Sequence, residues 1–149
     1  MDDQTSMLAE KQKVLDAAKL LFIATDRKDW DAVRSLFTPT VHFDMTSMAG
    51  GEPKNLTGSD IVQGWEQGLR NITAVHHQIG NELVSIDGDS AHVFCYGIAL
   101  HHKVTPLRNY TRRFVGTYDL NLVRWGVEWK ISGFTFNLKF IDGDTDIPE

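Results

Sequence analysis

Two pairs of adjacent histidines are the residues of this sequence best suited to chemistry. His76 and His77 form the first pair, and His101 and His102 form the second. Imidazole titrates at about pH 6.5, so a neutral histidine can accept a proton near neutrality and return it afterwards. Adjacent residues of a β-strand point to opposite faces, so one histidine of each pair should face a shared pocket. The sequence therefore favours proton transfer.

Asp26 is the carboxylate best placed to act with such a histidine. It stands at the end of a predicted first helix, just before the polar corner Arg27-Lys28-Asp29. A carboxylate at the C-terminal end of a helix is unfavourably placed relative to the helix dipole. Asp26 is therefore either a solvated turn residue or a side chain that folds back to hold a histidine. In the second case it would leave the histidine Nε2 free and stabilise the imidazolium.

The periodicity of apolar residues changes along the chain from helical to extended. Helices are predicted from Ser6 to about Thr25, after Asp29 as an N-cap, and from the Thr57 or Ser59 cap onward. Pro39 is expected to end the second helix. Strands are predicted over 41–45, 74–86, 91–104, 109–124 and 127–141, with a hairpin turn at Asp87-Gly88-Asp89.

This order of elements predicts an α+β fold in which three N-terminal helices pack on a strongly curved, mostly antiparallel sheet. Helices over the open side of such a sheet leave an enclosed pocket, so the expected shape is a cone around a ligand site. The 149 residues lack a linker, so residues 1–149 are predicted to form a single domain.

Composition excludes several functional classes. The net charge of −5 argues against a nucleic-acid surface, and no apolar run is long enough to span a membrane. The acidic N-terminus does not resemble a secretory signal, and one cysteine cannot form an internal disulfide. We therefore expect a cytoplasmic protein without nucleic-acid or membrane partners. Cys95, in an apolar run, is predicted to be a buried and inert thiol.

Several segments together resemble the scytalone dehydratase-like proteins. These are Asp26 to Asp31 followed by Leu36 to Asp44, then His77-Gln78-Ile79-Gly80-Asn81, Asp87 to Ala91, Gly116-x-Tyr118-Asp119 and Trp129-Lys130-Ile131. Their order and spacing are similar to those of SnoaL-like domains, which belong to the nuclear-transport-factor-2-like superfamily. The resemblance extends from about Leu8 to Asp144.

The resemblance implies an elimination reaction without a cofactor. In the dehydratase relatives, in lindane dehydrochlorinase and in bile acid 7α-dehydratase, an Asp-His dyad performs it. The positions of that dyad fall on Asp26 and His77, and the second histidine of the scytalone enzyme falls on His101 or His102. Thr25 and Met45 replace two tyrosines of that enzyme. Scytalone itself is therefore not the expected substrate.

The predicted pocket is mostly apolar and aromatic. His42, His76 and His92 are expected to be surface or packing residues. Phe134, Phe136, Leu138 and Phe140 should share one face of the last strand, and an apolar outer face would suggest a homo-oligomer, a dimer or trimer. The residues predicted to contact a substrate are Thr25, Met45, Trp65, Tyr96, Tyr118 and Phe136, where Tyr118 stands at the position of an asparagine in the scytalone enzyme.

The leading hypothesis is a cofactor-independent lyase or isomerase of the dehydratase type that acts on a small, mostly apolar or aromatic carbonyl or hydroxyl compound. Asp26 would orient His77, the base, and His101 or His102 would assist as the acid. One alternative is a ligand-binding or accessory domain without catalysis. Another is an assembly subunit, such as the small subunit of an aromatic-ring dioxygenase. A metal site built on the histidine pairs would need a third ligand, and no His-x-His or Glu-x-x-His spacing supports it.

Overall fold

The computed structural model describes residues 3–149 as helices followed by a long sheet. The helices are α1 (Asp3–Asp26), α2 (Trp30–Ser35), α3 (Thr46–Ala49) and α4 (Gly58–Leu69). The strands are β1 (Phe37–Asp44), β2 (Lys54–Leu56), β3 (Ala74–Asp87), β4 (Ser90–Val104), β5 (Asn109–Trp125) and β6 (Glu128–Gly143). None of the helices in the described part of the chain is long and apolar enough to cross a membrane.

The six strands form one open sheet in the order β2-β1-β6-β5-β4-β3. Neighbouring strands are antiparallel except for β1 and β6, which run parallel. The four long strands after residue 73 follow one another as a meander, because three short turns connect antiparallel neighbours. Gly88 and Gly126, both with positive φ, lie in the first and third turns, and the Thr105 N–H bonds to the Arg108 carbonyl at 3.1 Å in the second. The predicted α+β class with a mostly antiparallel sheet is confirmed.

The N-terminal helices differ in detail from the prediction. The carboxylate of Asp29 caps α2 as expected, by accepting the Ala32 backbone N–H at 3.2 Å. However, Pro39 does not end this helix. It lies inside β1, in the stretch between Phe37 and His42 where the pairing of β1 with β6 is interrupted. Proline has no backbone N–H to donate, and it fits there because the backbone of this stretch is not paired with the neighbouring strand β6.

The stretch between β1 and α4 is more structured than predicted. It contains the single helical turn α3 and the short edge strand β2 on either side of a loop. The Ser47 hydroxyl fastens α3 to β6, since it donates to the Phe136 carbonyl at 2.7 Å and accepts the Leu138 N–H at 2.9 Å. Helix α4 begins after Thr57, which forms a capping box with Asp60. Of the two predicted caps, Thr57 is therefore the one used.

The core lies between α1, α4 and the inner face of the sheet. Helix α1 buries one stripe at three- and four-residue spacing, including Val14, Ala18 and Leu21, which are fully buried. Cys95 of β4 lies in the same core, and burial raises the pKa of its thiol to about 12. The prediction that Cys95 is buried is confirmed, and a thiol with a raised pKa yields little thiolate near neutral pH.

The last strand does not keep the simple alternation that the sequence suggested. Val115 pairs with Phe140 while Gly116 pairs with Leu138, so β6 has one extra residue at this point. This irregularity turns Phe140 to the outer face, where 48 % of it is exposed, whereas Phe134 and Phe136 stay buried. The prediction that Phe140 shares a face with Phe136 is therefore wrong, because a β-bulge shifts every later side chain to the other face.

Candidate active site

A cavity of about 390 Å³ lies between the helices and the inner face of the sheet. Its wall is mainly apolar, which is typical of sites for small organic molecules. The cavity is not fully closed, because Met48, Gly64 and Gly68 on its lining are exposed. Five of the six residues predicted to contact a substrate line it: Thr25, Met45, Trp65, Tyr118 and Phe136.

Asp26 and His77 are in contact at the edge of this cavity. His77 Nδ1 lies 2.6 Å from Asp26 Oδ1, and the His77 backbone N–H donates to Asp26 Oδ2 at 2.8 Å. β3 is an edge strand, so an N–H that does not face β4 needs a partner elsewhere. One carboxylate thus holds both the backbone and the ring of His77, which fixes the ring direction.

The end of α1 explains why Asp26 can reach β3. Lys28 adopts a left-handed conformation with φ of 55°, and its N–H bonds to the Thr25 carbonyl at 2.9 Å. The Asp29 N–H bonds to the Ala24 carbonyl at the same distance. This arrangement is a Schellman motif, which satisfies the last carbonyls of the helix. The side chain of Asp26 takes no part in this motif, and its carboxylate contacts His77 instead.

The contact with Asp26 determines the chemistry available to His77. A carboxylate can only accept, so Nδ1 of His77 carries a proton and donates it to Oδ1. In the neutral ring, Nε2 then holds a lone pair. No described residue forms a hydrogen bond with Nε2. Every fully buried side-chain nitrogen of the described residues has a hydrogen-bond partner, so Nε2, which has none, is not fully buried. Since His77 lines the cavity, Nε2 can accept a proton from a bound molecule.

The remaining histidines of the two pairs lie where strand alternation separates them. His101 lines the cavity, whereas His102 does not and its Nδ1 instead contacts the Thr111 hydroxyl at 2.6 Å. His76 is exposed on the other face of β3. His77 pairs with Ala99, so His101, two residues further on, is its diagonal neighbour, at roughly 7–8 Å for such a pair. The choice left open between His101 and His102 therefore falls on His101.

Tyr96 corrects the predicted pocket. It was expected to contact a substrate, but it lies on the outer face of β4, where 46 % of it is exposed. There it packs beneath the Lys139 ammonium, 4.2 Å from the ring centroid. In β4 the odd-numbered residues Cys95, Ala99 and His101 face inward, so an even-numbered residue faces out. Aromatic character alone suggested Tyr96, and strand parity would have excluded it.

Tyr118 offers a second polar group to the cavity. Burial raises the pKa of its phenol, so the hydroxyl stays protonated. The hydroxyl has no partner among the described residues and is not fully enclosed, so it can bond to a ligand. Its ring lies across Gly97, where a Cβ would come within 2.1 Å of a ring carbon. Gly97 therefore makes the room that Tyr118 occupies.

Arg112 is a cavity residue that sequence reasoning missed. It lies directly opposite His101 on β5, and its Nε donates to His101 Nδ1 at 3.1 Å. Burial lowers the pKa of its guanidinium, although not enough to neutralise an arginine. The adjacent Arg113 points to the other face and pairs with Asp142. The strand alternation used for the adjacent histidines predicts that one residue of the Arg112-Arg113 pair faces the inner side of the sheet, but it does not place that residue opposite His101.

The described part of the chain contains no group of three or more His, Cys, Asp or Glu side chains placed to bind a metal ion.

The family of the chain follows from its sequence as a whole. Residues 6–135 match the sequence profile of the SnoaL-like domain. The chain belongs to the SnoaL-like domain family. This assignment confirms the resemblance found in its motifs, and it agrees with the placement of these domains in the nuclear-transport-factor-2-like superfamily. A search of curated proteins finds no match.

Solved structures share the fold of this SnoaL-like domain along most of the chain. The Kfla4162 protein from Kribbella flavida superimposes with a TM-score of 0.84 at 21 % identity, over 91 % of this chain and 95 % of that one. A candidate scytalone dehydratase from Novosphingobium aromaticivorans gives 0.80 at 15 % identity, over 97 % and 93 %. The hexachlorocyclohexane dehydrochlorinase LinA-type3 from Novosphingobium barchaimii gives 0.76 at 13 % identity, over 97 % of each chain.

Proposed function

We propose that this SnoaL-like domain is a cofactor-independent lyase or isomerase of the dehydratase type. Its substrate would be a small, mostly apolar or aromatic molecule that carries a carbonyl or hydroxyl group. The observation that carries the proposal is the contact between Asp26 and His77, which leaves a basic Nε2 at an apolar cavity. Structural relatives named as a dehydratase and a dehydrochlorinase support the same class of reaction.

In the proposed reaction, His77 Nε2 takes a proton from a carbon atom next to an activating group. Asp26 holds the ring in position and stabilises the imidazolium that forms. The side chains of both residues are largely withdrawn from water, with 13 % of His77 and 19 % of Asp26 exposed, so their interaction is little screened. The imidazolium then returns the proton, either to a departing hydroxyl group or to another carbon atom. The first outcome is elimination and the second is isomerisation.

The test is hydrogen exchange at carbon. A panel of one- and two-ring ketones, with and without a β-hydroxyl group, is incubated with the protein in D₂O. NMR follows the loss of the hydrogen next to the carbonyl, and mass spectrometry detects elimination products. We expect His77→Gln to slow exchange by about 10²–10⁴-fold, the usual contribution of a general base. His92→Gln, which alters a histidine–carboxylate pair outside the cavity, should change it less than about twofold.

Two results would contradict the proposal. If His77→Gln exchanges the same ketones as fast as the unaltered protein, His77 is not the base. If the unaltered protein binds ketones, as seen by a rise in melting temperature, but exchanges none, the domain only binds ligands. That outcome favours the binding or accessory function over the enzyme.

We also propose that the chain forms a homo-oligomer, a dimer or a trimer, through the outer face of the sheet. Tyr96, Ile98 and Phe140 expose 46 %, 40 % and 48 % of their surfaces on this face. Ile98 and Phe140 both pair with Val115, from opposite sides, so they form a continuous apolar patch of the kind found at protein interfaces. Light scattering should give the mass of two or three chains. A single-chain mass at all concentrations would contradict this part of the proposal.

A further inference from the structure

The pairing of His101 with Arg112 fixes the position of the proton on His101. The two residues face each other across β4 and β5, and Arg112 Nε lies 3.1 Å from His101 Nδ1. An arginine N–H can donate but never accept, so Nδ1 of His101 must be the acceptor. The single proton of the neutral ring therefore lies on Nε2. His77 has the opposite arrangement, with its proton on Nδ1 and a lone pair on Nε2.

His101 is also held in its neutral form. Burial, the Arg112 guanidinium and His77 together lower the pKa of His101 to about 4, against a smaller opposing effect of Asp26. Near neutral pH the ring is thus an imidazole that donates one hydrogen bond from Nε2. No described residue accepts that bond, and the atom is accessible rather than sealed in the protein. Because His101 lines the cavity, the Nε2–H is available to a ligand.

A neutral imidazole N–H is far too weak an acid to give its proton to a leaving hydroxyl group. It is, however, an effective donor to an oxygen atom that gains negative charge, provided that it is fixed in place beforehand. The expectation that the second histidine acts as the acid therefore does not fit this geometry. The group that suits it is a carbonyl oxygen on its way to becoming an enolate oxygen.

We propose that Arg112 is a positioning residue that holds His101 as an Nε2–H donor, and that the cavity takes a ketone or related carbonyl compound whose enolate oxygen His101 stabilises. The inference rests on the proposed function, because it assumes that His77 removes the proton. It goes further by assigning the substrate class and by separating the roles of the two histidines.

The reaction balances without another participant. The lone pair of His77 Nε2 takes the proton from the carbon next to the carbonyl group, and the electrons of that C–H bond form a C=C bond. The π electrons of the carbonyl group move to its oxygen, which accepts the hydrogen bond from His101. When the enolate collapses, the C–O bond to a β-hydroxyl group breaks. That hydroxyl leaves as water with the proton that His77 carries.

The first experiment is NMR of protein with ¹⁵N-labelled histidine and no ligand, in which the His101 signals are assigned by their loss in His101→Gln. In the unaltered protein we expect Nε2 to carry the proton and Nδ1 to carry none, with no titration between pH 8 and pH 5. In Arg112→Met, which keeps the aliphatic stem, we expect a mixture of tautomers and a His101 pKa that is higher than in the unaltered protein, although burial still holds it below the ordinary value of about 6.5. Arg113→Met, at the adjacent outward-facing position, should leave His101 unchanged.

The second experiment measures exchange of ketones in D₂O. His101→Phe should lower kcat by about 10²–10³-fold, the usual effect of losing one donor to an oxyanion. Arg112→Met should lower kcat by a smaller factor and leave KM nearly unchanged. A rise in KM alone would show that Arg112 binds an anionic part of the substrate, and would overturn its role as a positioning residue.

The two experiments separate the inference from the proposed function. A proton on Nδ1 in the unaltered protein, or an unchanged tautomer in Arg112→Met, overturns the positioning role whatever the activity. The expected tautomer combined with a complete absence of exchange would overturn both the proposed reaction and the carbonyl substrate class, while the pairing of Arg112 with His101 would stand.

Discussion

The protein contains two histidine–carboxylate pairs whose surroundings differ. His77 meets Asp26 through Nδ1, with 13 % and 19 % of the side chains exposed. His92 meets Asp119 through Nε2 at 2.9 Å, with 40 % and 36 % exposed. The first pair leaves its second ring nitrogen at an apolar cavity, whereas the second lies on the outer face beside Asn137. The same two residue types thus make a candidate dyad in one place and a surface hydrogen-bonded pair in the other.

For a histidine bound to a carboxylate, the identity of the partner matters less than whether the second ring nitrogen stays accessible to a ligand. In a half-exposed pair, water screens the charge and competes for both groups, so the pair contributes little. In the cavity, Asp26 also binds the His77 backbone and thereby removes the freedom of the ring to turn. A fixed ring with one accessible lone pair is what general base catalysis requires.

Changing each carboxylate to an amide should affect the two histidine–carboxylate pairs very differently. Asp26→Asn should lower the exchange of ketones by about 10²–10⁴-fold, because the amide N–H₂ can donate to His77 Nδ1 and drive the proton to Nε2, where it blocks the base. Asp119→Asn should leave kcat unchanged. Equal loss in both variants, with melting temperatures preserved, would show that the cavity pair has no special role.

Acid stability should distinguish His101 from His92. The pKa of His101 in the folded protein, about 4, lies below the ordinary value of about 6.5. The unfolded chain therefore binds a proton first, and stability falls as the pH drops from about 6.5 to about 4. His101→Gln should remove about 1–3 kcal/mol of this loss, measured by urea unfolding at several pH values. His92→Gln should keep it, and identical curves for His101→Gln and the unaltered protein would refute the assignment.

The last prediction concerns the packing of the Tyr118 ring against Gly97 on the inner face of the sheet. Gly97→Ala should destabilise the fold by about 1–3 kcal/mol, because the added methyl group overlaps the Tyr118 ring. Gly80→Ala on β3 is the control, since nothing lies within 4 Å of its Cβ position. Thermal unfolding measures both. A similar small shift for the two variants would mean that Tyr118 moves aside without cost.

Much of this architecture could be predicted from the sequence, because the necessary signals are local. The Asp29 and Thr57 caps, the Asp87-Gly88 turn and the alternation of the long strands each depend on neighbouring residues. The contact between Asp26 and His77 was expected from the resemblance to scytalone dehydratase-like proteins, since a family resemblance carries information about contacts between distant residues. Once His77 was assumed to face the pocket, the alternation of side chains along a strand was enough to predict that His76 lies on the opposite face.

What could not be predicted depends on register between strands. Arg112 meets His101 because those two residues pair across β4 and β5, and no local pattern fixes that register. Asp119 is 27 residues from His92 and reaches it only because β5 lies beside β4. The extra residue in β6 that turns Phe140 outward is likewise a property of pairing with β5. Each is a consequence of the assembled sheet.

The proposed roles of His77 and His101 are tested most directly by the structure of the protein with a small cyclic ketone that can exchange hydrogen but has no group to eliminate. We expect the carbon next to the carbonyl to lie about 3–3.5 Å from His77 Nε2. We also expect the carbonyl oxygen to accept a hydrogen bond from His101 Nε2 at about 2.7–3.2 Å. A ketone bound in the cavity with its carbonyl away from both histidines would contradict the proposed roles of His77 and His101.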